Sequence, residues 1–217
     1  MRIIDSILRL FFPPKCIVCA NLIGHYAKYP YCERCYKDLM SAKIVGQSSG
    51  LFLEYVNEVY VLFSYKNETV KHSVFHAKKT FSKDFAQFYA DCCQELFEKT
   101  DLISRIDTIT YATRRSSEKR REGLDQAKEM AKVISSLTGI EYKKLLKRKR
   151  RSQKQRSLSH EDRERNVKNL FKGVCQIKGQ RILITDDVTT TGATLSDCAR
   201  ALKEAGAKSV TVVVFSG

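Results

Sequence analysis

The chain has 217 residues, 43% of them hydrophobic, and carries 39 Lys and Arg against 24 Asp and Glu, a formal net charge of +15. That length accommodates one domain of ordinary size with a small appendage, and the apolar content builds a packed core without covalent staples. The charge excess points to a polyanionic partner or a phosphate-rich ligand, and the absence of repeats, low-complexity tails and membrane-length apolar runs excludes fibrous, solenoid and membrane-spanning classes.

Residues 1–12 read as an amphipathic helix with Ile3, Ile4, Ile7, Leu8 and Phe11 on one face, stopped by Pro13 and Pro14. Asp5 and Arg9 interrupt it, and no small-residue cleavage site follows, so it is expected to pack on the protein without membrane insertion. A cytoplasmic location is expected. Next come Cys16-Ile-Val-Cys19 and Cys32-Glu-Arg-Cys35, twelve residues apart. Each pair presents two thiolates to one point, and two pairs close a tetrahedral zinc site. Four thiolates leave no open coordination position, so Zn2+ here is structural, and His25 between the pairs is not needed as a ligand. The alternatives are four free thiols or a redox pair. This module occupies residues 1–45, and loss of its metal is expected to loosen residues 13–40 while sparing the rest. Tyr26, Tyr29, Tyr31 and Tyr36 stand among Lys28, Arg34 and Lys37. Rings interleaved with basic groups can stack single-stranded bases, with Tyr29 and Tyr31 as the candidates; the bland alternative is surface filler in a small module.

The second unit is residues 46–217. Val59 to Tyr65 reads as a strand, and Phe81, Phe85, Phe88, Tyr89, Cys92, Leu96 and Phe97 give one helical face behind an N-capping Ser82. Ile106 to Tyr111 is another strand, followed by Arg114, Arg115, Lys119, Arg120 and Arg121. Leu124, Ala127, Met130, Ala131, Ile134 and Leu137 predict a helix ending at Gly139, and Tyr142 to Leu146 reads as a short strand. Lys143 to Arg156 holds nine basic residues and no acid, the composition of a solvated loop whose charge attracts phosphate. Its nucleic-acid-binding candidates are Lys147, Arg148, Lys149, Arg150, Arg151 and Lys154. A helix through Val167 follows. Cys92, Cys93, Cys175 and Cys198 have no spaced partners and read as buried or idle thiols.

The stretch from Arg181 to Thr194 is the most informative. Ile182, Leu183 and Ile184 have the look of a strand buried on both faces, Asp186 and Asp187 place two acids where it ends, and a threonine-rich loop leads into a helix marked by Leu195, Cys198, Ala199 and Leu202. Unpaired amides at a helix start and the helix dipole bind phosphate. Gly192 lets backbone approach an anion, and Thr190, Thr191 and Thr194 can donate hydroxyl hydrogen bonds. Adjacent carboxylates suit the vicinal hydroxyls of a ribose. The bland alternative is an ordinary strand–helix turn. Neither a Walker loop nor a three-glycine dinucleotide fingerprint is present. Val210 to Phe215 closes the chain as a β-branched strand. Alternation of strand and helix from residue 106 onward predicts an α/β fold with a parallel sheet, its ligands beyond the carboxyl ends of the strands.

Asp186-Asp187-Val-Thr189-Thr190-Thr191-Gly192-Ala193-Thr194 resembles the signature of type I phosphoribosyltransferases, which bind 5-phosphoribosyl 1-pyrophosphate (PRPP). The order of features, four cysteines first and this signature last, resembles the ComF family of competence proteins over nearly the whole chain. Gln155, Leu158, Arg163 and Asn166, and the Gly123–Gln126 segment, also match that family's pattern. The resemblance implies a type I phosphoribosyltransferase-like parallel sheet flanked by helices, with a small N-terminal four-cysteine zinc-knuckle module. It also implies that the acids hold the ribose hydroxyls, that Thr189 to Thr194 wraps the 5′-phosphate of PRPP or of a nucleoside 5′-phosphate, and that Mg2+ accompanies PRPP. A role in DNA uptake follows, with single-stranded DNA and other DNA-uptake proteins as partners. The chain departs from the family at Tyr111-Ala-Thr113, where a Val-Pro-Leu-like segment is usual, and at Glu122 and Asp125; Arg114 and Arg115 are the substitute candidates for phosphate at that end. Two alternatives stand beside this reading. One is an active phosphoribosyltransferase of unknown acceptor, and the other a zinc-knuckle scaffold with a regulatory nucleotide site.

Overall fold

The computed structural model describes residues 13–24, 26–44, 46–47, 53–113, 124–149 and 169–217. The expected helix over residues 1–12, His25, the basic residues 114–121, and the residues of the run and helix from 150 to 168 lie outside these. Among the described residues the elements run α1 (Glu33–Ser41), β1 (Glu58–Phe63), α2 (Glu68–Lys79), α3 (Lys83–Lys99), β2 (Thr108–Tyr111), α4 (Gln126–Thr138), β3 (Leu146–Arg148), β4 (Phe171–Gly173), β5 (Arg181–Val188), α5 (Ala193–Glu204) and β6 (Ser209–Ser216). No described helix is long and apolar enough to cross a membrane.

Four strands form a parallel sheet in the order β1-β6-β5-β2. Such sheets are covered on both faces, which is why β5 and β6 read as continuous apolar runs. Alternation along β5 sends Leu183 to one face with Ile109, Met130, Ile134, Phe88 and Phe215, under α3 and α4. Ile182 and Ile184 point to the other, with Leu195, Cys198, Leu202 and Phe171, under α5 and the β3–β4 hairpin. Ser82 caps α3 by accepting from Phe85 N–H at 3.1 Å, and Gly139 closes α4 in the left-handed conformation.

One helix is not anticipated by the sequence analysis, and three expectations change. Helix α2 has no strong apolar stripe in the sequence and is made by its context: Asn67 caps it, and Val70, Val74 and Ala77 bury beneath it. Tyr142 to Leu146 is not a strand. Tyr142 makes only an isolated parallel bridge to Ile109, and the strand begins at Leu146. The start of the basic run is therefore not a loop, because Leu146, Lys147 and Arg148 pair antiparallel with Gly173, Lys172 and Phe171. The cysteine segment also packs more deeply than a separate appendage would. Its Tyr31 and Leu39 sit in the same apolar cluster as Phe63, Phe88 and Phe215.

Candidate ribose-phosphate and metal sites

Strand β5 lies between β6 and β2, and its carboxyl end carries the acids. Asp186 Oδ1 accepts from Asp187 N–H at 2.9 Å, and Asp187 Oδ1 accepts from Val188 N–H at 2.9 Å, so local backbone orients both carboxylates. Asp187 is buried, and Lys78 Nζ at the end of α2 lies 3.3 Å from its Oδ2. Just below, Tyr89 Oη and Thr185 Oγ1 share a buried hydrogen bond of 3.1 Å that ties α3 to the same strand.

The loop after β5 is pinned where Thr189 N–H donates to Ser216 O at 2.9 Å. Thr190, Thr191 and Thr194 are exposed, Ala193 half-buried. Gly192 is buried in the left-handed conformation, with φ of 72°, and a Cβ there would lie 1.9 Å from Leu53 Cδ2. Two independent constraints thus require glycine, the backbone angle and the apolar side chain pressed against it. Gly192 is also the N-cap of α5 and supplies no side-chain bond to the helix amides. Thr189 Oγ1 is buried with no hydrogen-bond partner among the described residues. A buried hydroxyl, a close-packed glycine and the start of α5, where Ala193 N–H donates to Thr191 Oγ1 at 3.5 Å, form a cradle of donors at the end of β5, a set of the kind that suits an anion.

Asp186 and Asp187 lie at the carboxyl end of β5, and Thr189 to Thr194 run from there into the start of α5. Arg114 and Arg115 lie outside the described residues. At the departure from the family pattern, Ala112 N–H donates to Thr185 O, and the buried Thr113 hydroxyl donates to Leu146 O at 3.0 Å, so Tyr111 to Thr113 joins β2 to β5 and to the hairpin.

The hairpin is clamped to α5. Buried Asp197 accepts from Asn169 N–H at 2.7 Å and Phe171 N–H at 2.8 Å, while Arg200 donates to Asp197 and to Phe171 O. Arg148 lies over the Phe171 ring, 5.3 Å from its centroid, and Lys147 and Lys149 are exposed. Arg150, Arg151 and Lys154 fall outside the described residues. The sequence analysis missed Lys78, Leu53 and Asp197. Of these only Asp197 left a signal, an acid set beside the apolar stripe of a helix.

The four cysteine sulfurs of Cys16, Cys19, Cys32 and Cys35 lie within 4.8 Å of one another, and Cys19 Sγ and Cys32 Sγ are 3.7 Å apart. Tetrahedral coordination with Zn–S of about 2.3 Å places sulfurs about 3.8 Å apart, so the cluster fits zinc. The Asn21 amide lowers the Cys19 thiol to about 7, whereas burial pushes Cys35 up. Burial also raises Cys92, to about 12, together with Cys93 and Cys198, which fits inert core thiols; Cys175 is exposed.

The stacking candidates separate. Tyr31 is 5% exposed, with its ring edge-on to Phe88 at 5.0 Å, so it is a core residue with no face to offer a base. Tyr29 is half-buried, stacks on Tyr36 at 5.6 Å and donates to Asp91 at 2.6 Å. The fully presented ring of this group is Tyr26, 88% exposed.

Residues 120–216 match the family model described as phosphoribosyl transferase domain. Competence protein F of Haemophilus influenzae is 24% identical over 92% of this chain and 82% of its own length. The chain is thus similar to competence protein F over most of its length, and its residues 120–216 to a phosphoribosyl transferase domain. The DNA utilization protein YhgH of Escherichia coli is 32% identical over 42% of this chain and 41% of its own length, so the match spans less than half of that relative. Among solved structures, glutamine PRPP amidotransferase from B. subtilis is 22% identical over 68% of this chain and 27% of its own, with a TM-score of 0.40. The fold that the signature implies, a parallel sheet flanked by helices, is the one observed, and the four cysteines gather at one point near its amino terminus.

Proposed function

We propose that this protein binds a PRPP-type ribose phosphate and acts in DNA uptake, holding single-stranded DNA on a basic surface that includes the β3–β4 hairpin. The observation that carries the ligand reading is the cradle at the start of α5, where a buried unpaired threonine hydroxyl and the first amides of the helix adjoin two acids. The 5′-phosphate fits Thr189 to Thr194, and Asp186 and Asp187 accept from the ribose hydroxyls. Mg2+ would accompany the pyrophosphate of PRPP, offsetting the negative charge that its phosphates bring beside the two acids. Zinc on the four cysteines would be structural, because no coordination position is left for a substrate. The names of the relatives, competence protein F and DNA utilization protein, support the cellular role.

The deciding experiment is calorimetric titration with PRPP and Mg2+. Asp186→Ala with Asp187→Ala is expected to weaken binding by roughly 2–4 kcal/mol, two charge-assisted hydrogen-bonding sites less their non-additivity. A nucleoside 5′-monophosphate should compete, since it presents the same ribose and phosphate. An unchanged PRPP affinity in the double variant removes the assignment. For the DNA role, absence of binding to labelled single strands at low ionic strength would leave the function resting on a protein partner.

A further inference from the structure

Helix α2 contributes nothing to the β5–α5 signature, yet its last turn reaches the sugar end of the cradle. Lys78 Nζ lies 3.3 Å from Asp187 Oδ2, with the Asp187 side chain 8% exposed and that of Lys78 37%. The helix that carries the lysine is held at its other end. Asn67 caps it by accepting from Val70 N–H and donates to Asp38 of α1 at 3.1 Å. Val74 and Ala77, beside Lys78 on the helix surface, are buried. A fixed cation is therefore delivered to one of two adjacent acids.

The physical consequence concerns Asp187. A buried carboxylate is held in place by the charges and donors around it, and removing a cation 3.3 Å from Oδ2 lets it turn toward water or other donors. A carboxylate turned away no longer accepts from a sugar hydroxyl in the same place. The ammonium also offsets repulsion between the neighbouring carboxylates and a ligand that brings its own phosphate. We propose that Lys78 is a positioning residue of the sugar site, holding the Asp187 carboxylate oriented toward the ribose hydroxyls without itself contacting the ligand. This rests on the ribose-phosphate reading above.

The test is calorimetric titration of the full chain with adenosine 5′-monophosphate and 2′,3′-dideoxyadenosine 5′-monophosphate, which differ only in the hydroxyls at issue. Wild-type protein is expected to favour the ribose form. Lys78→Met should lower affinity for that form about tenfold while leaving the dideoxy form within about twofold, the loss of one hydrogen bond to a charged group. Lys78→Arg should restore most of the preference, and in an Asp187→Asn background Lys78→Met should add nothing. If Lys78→Met does not fold, Lys78→Gln carries the same expectation. A folded Lys78 variant that keeps the wild-type ribose preference overturns the proposal. So does tighter binding of both nucleotides, which would make Lys78 a blocking group. Wild-type protein that binds neither nucleotide overturns the ribose-phosphate reading, and the role of Lys78 with it.

Discussion

Gly192 and Thr189 show how much of the cradle is decided by single atoms. Gly192→Ala puts a methyl into the left-handed region and against Leu53 Cδ2, 1.9 Å from the ideal Cβ position. Left-handed strain of about 1–2 kcal/mol and overpacking of about 1–3 kcal/mol predict a loss of roughly 2–5 kcal/mol in denaturant unfolding. In a Leu53→Ala background the overpacking part should vanish and leave the backbone part. Equal penalties in both backgrounds would show that Leu53 does not press on the loop. Thr189→Val makes the opposite forecast for stability. It removes a buried hydroxyl that has no partner among the described residues, so the ligand-free protein should be unchanged or up to about 1 kcal/mol more stable. The same change should weaken nucleoside 5′-monophosphate binding. A variant that loses stability and keeps affinity would mean that the hydroxyl serves the fold and not the phosphate.

At the scale of elements, the hairpin and α5 act as one piece. Asp197 takes two hairpin amides and Arg200 returns a bond to the hairpin carbonyl, so the basic strand β3 is fixed to the helix that starts the cradle. Asp197→Ala strands two backbone donors while Arg200 keeps Glu204 and Phe171 O, and should cost roughly 2–4 kcal/mol in unfolding free energy, at about 1–3 kcal/mol for each unpaired donor. Replacing Lys147, Arg148 and Lys149 by Ala should cost less, chiefly the Arg148–Phe171 contact of about 0.5–1 kcal/mol, and act mainly on DNA. If each of the three neutralises one single-strand phosphate, the slope of log affinity against log salt flattens by about 2. A full slope in the triple variant would move the DNA surface elsewhere, with the exposed Tyr26 ring by the cysteines as the next position to change.

For the whole molecule, the shared core alters what metal loss should do. Tyr31 and Leu39 of the cysteine segment are buried against Phe63, Phe88 and Phe215, with Tyr29 and Tyr36 also touching Phe88. Undocking that segment exposes two large side chains worth roughly 3–6 kcal/mol together. Chelation, or Cys32→Ser, is therefore expected to lower the melting temperature of the whole chain by on the order of 10 °C, in one transition. Two separate transitions, the upper one unmoved, would restore the picture of an independent module. Acid should weaken the sheet from its amino end. Arg181, by side-chain and backbone bonds, lowers Asp107 from 3.8 to about 2. A depressed carboxylate contributes stability that is present above pH 3.8 and lost as pH falls toward 2. Arg181→Met should flatten that part of the pH–stability curve, measured by urea unfolding, and an unchanged curve would assign the acid sensitivity to other groups.

Local pattern determined much of this protein. The β5–α5 signature, the cysteine spacing, the Ser82 cap and the Gly139 stop each depend on residues close together in the chain, where backbone geometry follows from side-chain type. The parallel sheet was legible for a similar reason, because strands covered on both faces must be apolar throughout. What the tertiary structure alone decided is whatever depends on approach between distant segments. Lys78 reaches Asp187 from a helix far upstream in the chain, Leu53 closes on Gly192, and Asp197 holds a hairpin that begins well before it. Tyr29 and Tyr31, close together among basic neighbours, look alike in sequence, yet Tyr31 is buried edge-on against Phe88 while Tyr29 keeps a hydrogen bond to Asp91 at the surface. Burial is a property of the surroundings that the fold supplies, and a ring carries no mark of which surroundings it will meet.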